Sequence, residues 1–142
     1  MTSLLPDVNV WVALQHQKHL HHRLALKWFN GLEEHIKLIF CRQSQLGLFR
    51  LLTTSAVMGD EVSTQQQCWA IYQKWIEGGR AVMQQEPPSI DAAFRARSHA
   101  AQSSPKMWTD AYLAAFAETA GLSLVTFDKA LAVKTKGALL LS

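Results

Sequence analysis

The sequence predicts an α/β domain built on a central, mainly parallel five-stranded sheet, and three observations lead there. Short apolar runs rich in Leu, Val, Ile and Phe alternate with longer stretches whose apolar residues recur at helical spacing. Turn residues such as Gly78-Gly79, Pro87-Pro88 and Gly121 separate the two kinds of segment. Strands that alternate with helices need crossover connections, and these produce parallel pairing. At 142 residues, 49% of them hydrophobic, the chain is expected to form one domain over 1–142 with a substantial core.

Residues 4–8 form the first strand, where Pro6 is awkward for a central position because it lacks an N–H. Residues 9–15 begin a helix that ends in a His-rich turn. Leu24, Trp28 and Leu32, at i, i+4 and i+8, predict a second helix. Residues 36–40 are the second strand. The spacing of Leu48, Leu51 and Leu52 predicts a helix over 45–53. Asp60-Glu61 and Ser63-Thr64 introduce another, with Trp69, Tyr72 and Ile76 on its apolar face, and Gly78-Gly79 stops it. Residues 81–83 are the third strand, and a helix follows over 89–101. Ser104 and Pro105 suit a cap and a first helical position, opening a helix to about Thr119 that Gly121 ends. The fourth and fifth strands fall at 122–127 and 138–141.

The formal charge of +3 suits a polyanionic partner, although no Lys/Arg cluster forms a continuous basic stripe. The opening Met1-Thr2-Ser3-Leu4-Leu5 lacks the basic flank and apolar run of a signal peptide. No segment reaches the roughly 18 apolar residues that a membrane-spanning helix needs. Two cysteines, Cys41 and Cys68, are too few for a disulfide framework, so free thiols in a reducing cytoplasm are expected.

Three aspartates stand where a strand or turn meets a helix: Asp7, Asp110 and Asp128. In open parallel sheets ligands bind at the carboxyl ends of strands, which is where Asp7 and Asp128 fall, while Asp110 lies in the first turns of its helix. Several hard oxygens gathered together are the usual means of holding Mg²⁺. Each aspartate alone has an ordinary reading, as an N-cap, a macrodipole partner or a turn residue. Their joint placement is what points to a site.

Four segments then carry a resemblance: Asp7-Val8-Asn9-Val10-Trp11, the run from Cys41 through Arg42, Gln45 and Gly47 to Thr53, Trp108-Thr109-Asp110-Ala111-Tyr112-Leu113-Ala114, and Val125-Thr126-Phe127-Asp128. In order and spacing they cover nearly the whole chain, which resembles the PIN-domain ribonucleases, specifically the VapC-like toxins of bacterial toxin–antitoxin pairs. The resemblance implies a three-layer α/β/α fold and Mg²⁺- or Mn²⁺-dependent RNA cleavage. It also implies a cognate antitoxin that holds the toxin inactive, and a homodimer. Carried over, Asp7, Asp110 and Asp128 would ligate the metal, and Asn9 and Thr126 would hold the metal-site loops by hydrogen bonds. The family's second acidic position is usually Glu, and here it is Gln45, whose neutral amide removes one negative charge. Weaker divalent binding is expected, and a weakened module that binds RNA or protein without efficient cleavage is the alternative.

Trp108, Arg42 and Lys106 are candidates to contact RNA, with Arg50 and Lys129 as further cations near the motifs and Arg50 also a candidate anchor for the antitoxin. His16, His19, His21 and His22 crowd into seven residues. A structural zinc site normally adds cysteine support, and Cys41 is remote in sequence, so a solvent-facing turn is expected. Cys68 and the helically spaced Trp28, Phe29, Trp69, Tyr72 and Trp75 are expected in the core. The chain has no GxGxxG and no GxxxxGK[ST], and position 9 is Asn where an Asp-x-Asp phosphatase would need Asp.

Overall fold

The computed structural model describes residues 3–142; Met1 and Thr2 of the expected single domain lie outside the described residues. Five strands, β1 (Ser3–Pro6), β2 (Lys37–Phe40), β3 (Ala81–Met83), β4 (Ser123–Thr126) and β5 (Leu139–Leu140), form one sheet in the order β3-β2-β1-β4-β5. Every pairing is parallel, so the sheet is wholly rather than mainly so. The helices are α1 (Val8–Gln15), α2 (His22–Asn30), α3 (Arg42–Leu52), α4 (Ser55–Met58), α5 (Gln65–Glu77), α6 (Ile90–Arg97), α7 (Met107–Ala120) and α8 (Lys129–Lys134).

Side-chain alternation along the strands divides the core into two layers. Leu4, Leu38, Phe40 and Val125 point to one face, where they pack with Trp11, Leu14, Leu48 and Cys68 from α1, α3 and α5. Leu5, Ile39 and Leu124 point to the other, against Ile90, Leu113, Phe116 and Leu131 from α6, α7 and α8. A period of two with apolar residues on both faces is what a sheet covered by helices on each side requires. The three-layer α/β/α arrangement follows from that pattern. Trp11 stacks on Phe40 at 3.8 Å and meets Trp75 edge-on, and Trp28, Phe29 and Tyr72 pack against the same core as expected, whereas Trp69 is 54% exposed at the surface of α5 instead of in the core.

β1 is central despite Pro6. Its register with β2 ends at Leu4, whereas its register with β4 continues through Pro6. The next N–H, that of Asp7, donates to Val125 O, so the proline's missing N–H faces the β2 side, where pairing has already stopped.

Several boundaries differ from those the sequence predicts. α3 starts at Arg42, because the Ser44 hydroxyl accepts from the Cys41 N–H and closes its first turn three residues early. α7 starts at Met107; Ser104 offers its backbone carbonyl to the Met107 N–H, and its hydroxyl caps nothing. α6 stops at Arg97, where Ser98 turns its hydroxyl back onto Phe94 O. The sequence reading also missed α4 and α8. Gly121 ends α7 as expected, with φ at +69°, the left-handed conformation that glycine adopts without strain.

Candidate active site

The topology concentrates one edge of the sheet. β1 runs to β2 on one side and β4 on the other, so the strand order reverses at β1, and the carboxyl ends of β1 and β4 border the crevice that results. Asp7 follows β1, Asp128 follows β4, and α7 starts at the same edge because it runs antiparallel to the strand it precedes. Gly47 brings α3 in as well: a Cβ there would lie 2.6 Å from Val8 Cγ2, so only glycine lets α3 pack against the first turn of α1. Gln45, buried two residues earlier, is thereby held beside that turn.

Asp7 caps α1, its Oδ1 accepting from the Val10 N–H at 3.0 Å. Its Oδ2 accepts the Thr126 hydroxyl at 2.5 Å, from a side chain 119 positions away and fully buried. The same Thr126 oxygen accepts the Asp128 N–H at 3.0 Å. Asp128 in turn caps α8 by accepting from the Leu131 N–H at 3.1 Å. Thr126 therefore ties the Asp7 and Asp128 loops together. Asn9 does not share that work: it lies exposed at the second position of α1, and Asp7 already caps the helix, so no hydrogen bond of the Asn9 side chain is present among the described residues.

Asp110 sits in the first turn of α7, half-buried, and its carboxylate has no hydrogen-bond partner among the described residues. Burial raises its carboxyl pKa, the Asp128 charge raises it further, and Lys134 opposes both. Asp7 is raised too, by burial first, against the hydrogen bonds from Thr126 and Val10, with Asp110 and Asp128 adding to the rise. Thr126 joins the Asp7 and Asp128 loops, and the first turn of α7 brings Asp110 to the same edge of the sheet. Lys134 was missed in the sequence reading. Its one signal is its place in the last turn of the helix that Asp128 caps.

The remaining expected contacts are scattered. Arg42 stands exposed at the start of α3 and donates to Gln45 Oε1 at 2.5 Å, so the amide oxygen at the fourth position already has a partner. Trp108 is 58% exposed one turn before Tyr112. Lys106 is exposed at the N-cap of α7. The histidines do not form a solvent-facing turn. His16 is buried at the end of α1, His22 bonds to Ala13 O at 2.7 Å, and His21 stacks on Phe127 at 4.5 Å.

Chemically, the edge offers oxygen donors and little else. Asp110 has both oxygens free of protein partners, Asp128 has Oδ2, and each Asp7 oxygen keeps a second lone pair. No three His, Cys, Asp or Glu side chains among the described residues stand close enough to enclose a metal ion by themselves.

The PIN domain family matches residues 4–136. Ribonuclease VapC41 of Mycobacterium tuberculosis is 40% identical over 131 residues, which cover 89% of this chain and 90% of that relative. Among solved structures, Mycobacterium tuberculosis VapC20, a sarcin-ricin loop cleaving toxin, superposes with a TM-score of 0.65 at 13% identity, covering 92% of this chain and 94% of its own. FitAB bound to the IR36 DNA fragment superposes with a TM-score of 0.62 at 14% identity, covering 96% and 93%. At those identities the two structures bear on the fold alone. Fold, motif order and the VapC41 match agree, and the chain belongs to the PIN-domain family, in its VapC-like group.

Proposed function

We propose that the protein is a divalent-metal-dependent endoribonuclease, the toxin of a bacterial toxin–antitoxin pair. The observation that supports this reading is the placement of Asp7, Asp110 and Asp128 at one sheet edge, with the Asp7 and Asp128 loops tied through Thr126. The 40% identity to a ribonuclease supports it from the sequence side.

The donor set fits Mg²⁺. That ion keeps several of its waters and is usually held by one or two carboxylates together with substrate phosphate, so a closed protein cage is not required. Its charge also relieves the repulsion among carboxylates whose pKa values are raised. When bound, it supplies an acidified water, neutralises the phosphate and stabilises the leaving oxygen. Asp7 is held in one orientation by Val10 and Thr126, and Asp110 presents an unpartnered carboxylate from a rigid helix. Asp128 keeps one oxygen for capping and one for the site. Gln45 orients a water or ligand through a neutral amide, with Arg42 as its partner. Mn²⁺ is expected to substitute.

RNA is the substrate in this reading, the antitoxin a separate small protein, and the toxin a homodimer. Its place is the cytoplasm, where the thiols of Cys41 and Cys68 stay free. A second reading, a module that binds without efficient cleavage, draws on the hydrogen bond that already occupies Gln45 Oε1. Incubation of the pure protein with total RNA decides between them. Endonucleolytic fragments that need Mg²⁺ or Mn²⁺ and disappear in Asp7→Asn and Asp110→Asn are expected. Cleavage that persists in both variants defeats the proposal, and metal-independent retention of intact RNA favours the second reading.

A further inference from the structure

Beside the carboxylates, the segment between α6 and α7 and the end of α8 enclose a cavity of about 680 Å³, within the size range of small-molecule pockets. Trp108 and Met107 from the start of α7, Ser103 and Ser104 from the connecting segment, Arg97 from the end of α6 and Lys134 from the end of α8 line it. Two of these residues join it to the site. Trp108 lies two positions before Asp110 in the first turn of α7, and Lys134 ends the helix that Asp128 caps. The cavity thus adjoins the helices that carry Asp110 and follow Asp128, and none of the three aspartates lines it.

Its lining combines a flat ring and a cation. Trp108 meets Phe94 edge-on, 6.1 Å between ring centres at 67°, and remains 58% exposed, so the indole is propped in place with much of its surface open. Arg97 is committed elsewhere: it donates to Lys134 O at 3.1 Å and lies 3.5 Å from Glu118. That bond fixes the end of α8 and leaves the Lys134 ammonium as the cation, without an ion pair among the described residues. A polyanion approaching three aspartates is repelled, and a lysine at the end of the helix that Asp128 caps offsets that repulsion where the chain must enter. An exposed aromatic face beside a cation is the combination that holds single-stranded nucleic acid, the ring stacking on a base and the cation meeting the backbone.

We propose that this cavity is a nucleotide subsite, in which Trp108 stacks on a base next to the scissile bond and Lys134 meets that nucleotide's phosphate. The proposal rests on the endoribonuclease reading and names how the same site grips its substrate. Ser103 and Ser104, which line the cavity from an exposed to half-exposed loop, are the polar groups available to meet base edges.

Fluorescence anisotropy tests it with labelled single-stranded RNA decamers in metal-free buffer, one intact and a set carrying a single abasic position each. Trp108→Ala is expected to weaken binding of the intact decamer roughly 5- to 100-fold, the usual range for one base–aromatic stack, and Trp108→Phe to retain most of it. In the native protein one abasic position should weaken binding, and in Trp108→Ala that penalty should vanish. Lys134→Gln should lower the dependence of log K on log salt by about 0.7, the share of one phosphate contact on a single strand. Unchanged binding in Trp108→Ala, or an abasic penalty that survives in it, overturns the subsite. If metal-dependent cleavage is lost in Asp110→Asn at the same time, the nuclease reading stands without the subsite. If the native protein binds no decamer, the subsite falls, and the cleavage assay alone decides the nuclease reading.

Discussion

Asp7 and Asp128 are built alike and placed differently. Each follows a strand at the carboxyl edge of the sheet, each caps the next helix through Oδ1, and each is bonded to Thr126. Asp7 is 8% exposed and follows the central strand, whereas Asp128 is exposed. One local motif therefore gives two carboxylates of different character. Asp128 caps at little cost in hydration. Asp7 holds a charge where burial disfavours it, and its hydrogen bonds only partly compensate. A purely structural cap would not need that charge, since Asn caps as well as Asp. A buried carboxylate at this place is what the proposed metal site requires, at some expense in stability.

The largest expected effect follows from that contrast. Asp7→Asn keeps the cap, loses the acceptor of the Thr126 hydroxyl and removes a buried charge whose desolvation outweighs that bond, so cleavage should fall on the order of a hundredfold or more while the urea midpoint of the metal-free protein rises. Asp128→Asn should leave stability within about 0.5 kcal/mol. A lower urea midpoint in Asp7→Asn would break the comparison, because it would make Asp7 a structural residue first.

Thr126→Val is the next largest. It leaves a buried carboxylate oxygen and the Asp128 N–H without their partner, at a cost of about 1–3 kcal/mol, measured by urea denaturation. Thr126→Ser, which keeps the hydroxyl, should restore most of it.

Stability against pH sharpens the same contrast. The carboxyl groups of Asp7 and Asp110 are raised from 3.8, burial being the first cause in both. The folded state then binds protons more tightly than the unfolded state, and stability has a negative slope with pH between the two pKa values. Their contribution is fully present below 3.8 and is lost as pH rises through the folded values. Urea midpoints of metal-free protein should show this decline, Asp7→Asn should flatten it, and added Mn²⁺, which binds the ionised form, should also flatten it. A native-protein profile identical to that of Asp7→Asn contradicts the account.

Gln45→Glu should have the smallest effect, a several-fold gain in Mn²⁺ affinity read by calorimetry. No change would place that side chain outside the site, with Arg42 as its sole purpose.

Much of this was legible in the sequence, for identifiable reasons. Two-faced apolar strands such as Leu4-Leu5 and Leu38-Ile39-Phe40 announce a sheet covered on both sides. The Asp positions announce its functional edge, since a carboxylate after an apolar run needs a reason to be there. The parts that stayed hidden depend on contacts between distant residues. The Thr126 bond to Asp7 spans 119 positions and was foreseen only through the family resemblance, and Lys134 comes to this end of the molecule only because Asp128 starts a six-residue helix. That helix is too short to show a hydrophobic period. The start of α3 was missed because Cys41 and Ser44 close its first turn, a cap that hydrophobic spacing does not register. The His-rich turn was misread because His16 closes the end of α1 as its buried C-cap, a position that the crowding of histidines in sequence does not register.

The central claim is that these carboxylates are kept for metal, and calorimetric titration of Mn²⁺ into the native protein and Asp110→Asn tests it most directly. Asp110 suits the purpose because its side chain makes no hydrogen bond among the described residues, so Asn removes charge and breaks nothing. The account predicts saturable binding in the native protein, at least about tenfold weaker binding in Asp110→Asn, and no fall in the variant's urea midpoint. Superimposable isotherms for the two proteins would contradict it.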